Sequence, residues 1–168
     1  MSIEIDRERK IGVSVIDAQQ IESLFAVADA SPRKRAILTL DRTPSETVQK
    51  TVLAIFPESY LRPNKLTHPS QIATFSPLSG VAELLTFSDE GRVIKKVPLT
   101  HGKVVEVEAD TWYTLVARSR FAMLELKSLP PGLGRGKEIY APWAPEEGTR
   151  EGQEYLESLK RELGATGS

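Results

Sequence analysis

The stretch VAELLTFSDEGRVIKKVPLTHGKVVEVEADTWYTLVARSRFAMLELK, residues 81–127, decides the fold class. It breaks into short segments of strand-like composition separated by turn residues: Ser88-Asp89-Glu90-Gly91, Thr100-His101-Gly102-Lys103, Glu108-Ala109-Asp110 and Arg118-Ser119-Arg120. Val81, Leu85 and Phe87 share one face of the first segment, and Val105 and Val107 alternate with Glu106 and Glu108 in the same way. An apolar period of two marks strands with one face inside. Upstream, AILTL, TVLAIF and IATFSPL have the same character from Ala36 onward. Many short strands with no helix between them predict an antiparallel sandwich or barrel rather than alternating βα units.

Helices are expected only at the two ends. Asp17 and Gln20 form a capping-box-like pair, and Ile21, Leu24, Phe25 and Ala28 then fall on one helical face, predicting a leading helix over 17–31. The β-barrel follows over 36–128, then an ordered arm rich in proline and glycine over 129–148, without much regular structure. Tyr155, Leu156, Leu159 and Leu163 line up as the stripe of a C-terminal helix over 149–164, and the closing GATGS is expected to fray. The whole makes a single domain.

Composition excludes several functions. Twenty-two basic residues against 23 acidic ones give a formal net charge of −1, so no overall pull toward nucleic acid or an anionic membrane is expected. With no cysteine there are no disulfides, thiolate metal sites or cysteine nucleophiles. No segment approaches the roughly 18 apolar residues of a membrane span, and a soluble, untargeted, cytoplasmic protein is expected. GLGRG (132–136) neither follows a clear strand nor opens a helix and lacks the GK[ST] of a phosphate loop.

Three pieces carry a family likeness: YLRPNKLTHPSQIATFSPLSG (60–80), DTWYTLVA (110–117) and YAPWAPEEG (140–148). Their order and spacing on a β-rich scaffold resemble the cupin superfamily, and within it the WbuC-like cupins associated with bacterial surface-polysaccharide gene clusters. The resemblance implies a leading helix, an SPR corner, a cupin-type antiparallel barrel (double-stranded β-helix, jelly-roll), an APWAP arm and a final helix, commonly as a homodimer. The family's first motif runs Arg-Pro-His-x-His-Pro followed by Lys and Glu, and its second is Thr-Trp-His-Thr. Its histidines and glutamate hold a divalent metal.

This chain departs from that pattern at nearly every ligand. Arg62-Pro63 and His68-Pro69 match, but Asn64 follows Pro63 where a histidine belongs, Gln71 replaces lysine, Ala73 replaces glutamate and Tyr113 replaces the second motif's histidine. Asp41 is the nearest match to a further, upstream histidine. Since a protein-held catalytic metal ordinarily needs about three side-chain ligands, the resemblance implies a degenerate site without metal or other cofactor.

His68 and Tyr113 would then face each other across the barrel mouth. Metal-free cupin epimerases use histidine as base and tyrosine as acid, so the pair is a candidate catalytic dyad, with Asp41 to orient the histidine. Alternatively the two residues merely fill the old site. Arg62, Asn64, Gln71 and Trp112 are candidate ligand-binding residues: Arg62 could clamp an anion or make a structural ion pair, and Trp112 and Trp143 could wall a sugar ring or pack in the core. His101 reads as a solvated turn residue. The functions in play are a small polar molecule, such as a sugar or sugar nucleotide, bound without metal; a structural or regulatory role; a carbohydrate isomerase using His68 and Tyr113; and a metal-dependent cupin with other ligands.

Overall fold

The computed structural model describes residues 2–4, 12–41, 43, 45–128, 130 and 138–164. In chain order its elements are β1 (Ser2–Glu4), α1 (Ala18–Ala30), β2 (Arg35–Thr39), β3 (Val48–Ile55), β4 (Asn64–Leu66), β5 (Ile72–Ser79), β6 (Ala82–Phe87), β7 (Val93–Leu99), β8 (Val105–Glu108), β9 (Trp112–Ala117), β10 (Phe121–Ser128), β11 (Glu138–Tyr140) and α2 (Arg150–Gly164). They form a six-stranded sheet, β1-β2-β3-β10-β5-β8, and a five-stranded one, β11-β4-β9-β6-β7. Pairing is antiparallel except between β1 and β2.

Strand alternation decides what each sheet buries. Facing inward, Ile55, Leu66, Phe75, Leu84, Leu115, Phe121 and Met123 fill the space between the sheets. The opposite face of the larger sheet offers Ala36, Leu38, Val52, Ala54 and Ala122, on which α1 lays Leu24, Phe25 and Ala28. The opposite face of the smaller sheet, with Leu85, Phe87, Trp112 and Val116, is covered by Leu156 and Leu159 of α2 and by Ala141 and Ala144 of the arm. Burial on both faces leaves β9 no polar side: all six of its residues are buried. Asp17 caps α1 through the reciprocal bonds expected with Gln20.

The structure adds strands in three places where no strand segment was expected, β4 (Asn64–Leu66) after Arg62-Pro63 among them. β1 lies in the polar leader, and β11 lies in the arm, where Glu138, Ile139 and Tyr140 pair with Leu66, Lys65 and Asn64. GLGRG (132–136) and the last four residues lie outside the described residues. No helix among the described residues is long and apolar enough to cross a membrane.

Candidate functional site

The inner face of the barrel is not apolar throughout. On β10 the parity that sends Phe121 and Met123 inward also sends Glu125 and Lys127 inward, opposite Phe75 and Ala73 of β5 and opposite Thr51 and Gln49 of β3. From the other sheet Glu138 shares the face of its core partner Leu66. The Lys127 ammonium is 2.7 Å from Glu125 Oε1 and also donates to Glu138 Oε1. Side-chain exposure is 15% for Lys127, 16% for Glu125 and 31% for Glu138, so water screens the Lys127–Glu125 pair weakly and reaches Glu138 more freely.

Tyr113 stands against this cluster. Its ring meets Phe75 at 5.7 Å, and its backbone faces Asn64 across the β4–β9 ladder. Burial raises its hydroxyl well above the ordinary tyrosine range, an effect that the positive charge of Lys127 only partly offsets. For Lys127 burial works against the charge, but the carboxylate of Glu125, with smaller contributions from Tyr113 and Glu138, outweighs it and holds the ammonium above its ordinary range. Two amide atoms nearby lack partners among the described residues: Asn64 Oδ1 and Gln71 Nε2 are buried without a hydrogen bond.

The residues singled out from sequence fall into two groups. Tyr113 and Asn64 come together on the inner face, as directly opposed residues of an antiparallel pair do. Gln71 is fully buried and accepts the His68 backbone N–H through Oε1 at 3.1 Å. The expected meeting of His68 with Tyr113 is not among the hydrogen bonds formed. His68 lies in the turn after β4, where Nδ1 bonds the Ser70 hydroxyl at 2.7 Å and accepts the Ser70 backbone N–H at 3.2 Å. Asp41, the candidate to orient it, accepts the Lys50 backbone N–H through Oδ1 at 2.7 Å.

Trp112 cannot share a mouth with Tyr113, because adjacent strand residues face opposite ways. It points out of the barrel, donates from Nε1 to Asp89 Oδ1 at 3.0 Å, and meets Trp143 with ring centroids 6.3 Å apart. Lys65 lies over its ring at 4.6 Å. Trp143 in turn rests on Gly91, whose φ is +86° and where a Cβ would come within 2.8 Å of the indole. His101 is exposed in the turn after β7.

Arg62 ties motifs together. Its backbone N–H donates to Glu147 Oε1 at 3.0 Å, its Nη2 donates to Ala141 O at 3.0 Å, and its guanidinium lies 5.4 Å from the centre of the Tyr140 ring. The same Glu147 carboxylate takes Arg33 at 2.7 Å and also Arg35, so the SPRKR corner, the RPN motif and the APWAPEE arm converge on one side chain.

Sequence reasoning missed Glu125, Lys127, Glu138 and Glu147. The first two carried a signal. In FAMLELK the charged residues have the parity of Phe121 and Met123, so one face of β10 had to pair apolar with charged.

Residues 16–99, half of the chain, match the model of a family described as a domain of unknown function (DUF6016). No curated protein matches the chain. Among solved structures it is similar to an uncharacterised conserved protein with a double-stranded β-helix domain from Klebsiella pneumoniae (15% identity, TM-score 0.54, 77% of this chain and 98% of that one). It is also similar to the coconut allergen cocosin (14% identity, TM-score 0.51, 66% of this chain and 29% of that one). Procruciferin, an 11S globulin of Brassica napus, matches with 14% identity and TM-score 0.51, over 66% of this chain and 28% of that one. The chain thus spans under a third of either seed protein. At such identities the likeness concerns the fold alone: mainly β, of the cupin, jelly-roll type.

Proposed function

The chain belongs to the DUF6016 family, and from that premise we propose that it is a metal-free cupin whose barrel interior binds a small hydroxyl-bearing molecule, a sugar or the sugar of a sugar nucleotide. The observation that carries this reading is the charged cluster of Lys127, Glu125 and Glu138 built against Tyr113 inside the barrel. Apolar residues of similar volume fill such a space at no loss of stability, and often at a gain, so charges turned toward the core are weak evidence for a purely structural role. The unpartnered Asn64 Oδ1 and Gln71 Nε2 add an acceptor and a donor of the kind a hydroxyl satisfies. A divalent ion fits this site poorly. The inward carboxylates already neutralise an ammonium, and burial holds the Tyr113 phenol in its neutral, weakly ligating form. The likeness to WbuC-like cupins favours a carbohydrate, and the homodimer belongs to the same proposal.

The isomerase reading has less support. His68 is hydrogen-bonded within its own turn, and the raised Tyr113 hydroxyl is a weaker acid than an ordinary phenol.

The test is an amide NMR titration with glucose, galactose and UDP-glucose. Shifts should gather at Asn64, Gln71, Tyr113 and Lys127, and Tyr113→Phe should weaken binding by about tenfold, the worth of one hydrogen bond in a dry site. Shifts absent at those amides at millimolar concentrations of all three probes would contradict the proposal.

A further inference from the structure

We infer that the corner between α1 and β2 holds a second binding site, for a small oxyanion, carboxylate or phosphate, attached to a short apolar body. A cavity of about 320 Å³ opens there, lined by Ser31, Arg33, Arg35, Ala36 and Ile37. None of these residues takes part in the cluster of Lys127 with Tyr113, so the site stands whatever the barrel binds. The corner places three cations in a row, and each has a different task. Lys34 serves the end of α1: its ammonium donates to Asp29 O at 2.6 Å and pairs with the Asp29 carboxylate at 2.9 Å, meeting the negative end of the helix dipole. Arg33 and Arg35 both turn to one oxygen, Glu147 Oε2. Two guanidiniums on a single carboxylate leave a net positive charge at the cavity wall.

The spare capacity lies in Arg33. Its Nη1 donates to Glu147, while its Nε and Nη2 have no hydrogen-bond partner among the described residues, and over half of the side chain is exposed. That leaves the planar fork open to an oxyanion. A second donor points to a ligand independently. Ser31 is only 6% exposed and lines the cavity. Its Oγ accepts the Arg33 backbone N–H at 3.3 Å, yet its own proton goes to no acceptor among the described residues. Ile37 supplies the apolar wall: two residues after Arg35 on β2, it shares the arginine's face and is 39% exposed. Charge beside exposed hydrocarbon fits an acid with a short aliphatic part better than a bare ion.

The test is an amide NMR titration of the whole chain, at constant ionic strength, with inorganic phosphate, acetate and pentanoate. Shifts should gather at Ser31, Arg33, Ala36 and Ile37, and pentanoate should bind more tightly than acetate. Arg33→Gln, at an exposed side chain that the fold tolerates, should weaken every probe about fivefold, the worth of one exposed ion pair. Ile37→Ser, the second variant, should bring pentanoate down to acetate and leave phosphate unchanged. Phosphate binding above pentanoate assigns a phosphoryl head group and the reverse order a carboxylate; both support the site. The inference is overturned if none of the three probes shifts those amides at millimolar concentrations, or if Arg33→Gln binds them as tightly as wild type.

Discussion

Lys127→Met is expected to lower the free energy of unfolding by about 2–3 kcal/mol, below the full cost of breaking a buried pair, because removing the cation leaves partly buried carboxylates uncompensated. Here two carboxylates lose their partner at once: Glu125, which is 16% exposed, and Glu138, which is 31% exposed. The greater exposure of Glu138 lets water recover part of its share, so most of the loss belongs to Glu125. The double variant Lys127→Met/Glu125→Leu removes the stranded charge together with the cation and should recover most of the stability, since apolar replacement of a buried pair is near neutral. Urea denaturation of the two variants decides the matter. A single variant within about 1 kcal/mol of wild type would mean that the cluster is solvated rather than buried.

Glu147→Ala should cost about 3 kcal/mol. The carboxylate is 13% exposed and receives Arg33, Arg35 and the Arg62 backbone N–H. Arg33 is over half exposed and contributes little. Arg35, 20% exposed, and the Arg62 amide would be left without their acceptor, which is where most of the cost arises. Because Tyr60 O accepts from Arg35 and Tyr60 packs on α2, hydrogen exchange should quicken in α2 as well as in the corner. A loss below about 1 kcal/mol, measured by urea denaturation, would show that the arm is held by its apolar contacts alone.

The fold was legible for a physical reason: long runs of alternating residues and a capped helix reflect local rules that tertiary packing did not override. Strands β1, β4 and β11 were not legible. Each has three residues, too few to show a period, and each exists through pairing with a neighbour. The site was half legible. Asn64 and Tyr113 lie on the inner face because the motif order places β4 beside β9. Trp112 was open to exclusion in advance, since its neighbour Tyr113 takes the inward direction. The charges on β10 stayed hidden because Leu124 and Leu126 offered an equally regular apolar face, and only the packing of α1 on Ala122 and its neighbours decides which face is inner. Glu138, from a proline- and glycine-rich arm, reaches the cluster through tertiary structure alone.

The central claim is a charged lysine held inside the barrel by two carboxylates, and its own titration tests it most directly. A group whose folded pKa is raised contributes stability that is fully present below its unfolded value, about 10.4 for lysine, and lost as pH rises through the folded value. The ammonium of Lys127, followed by nitrogen-15 NMR with Lys127→Arg for assignment, should therefore remain protonated at pH 10.5, where a lysine at the ordinary value is about half titrated. A Lys127 signal that titrates together with the exposed lysines, or below them, would contradict the account.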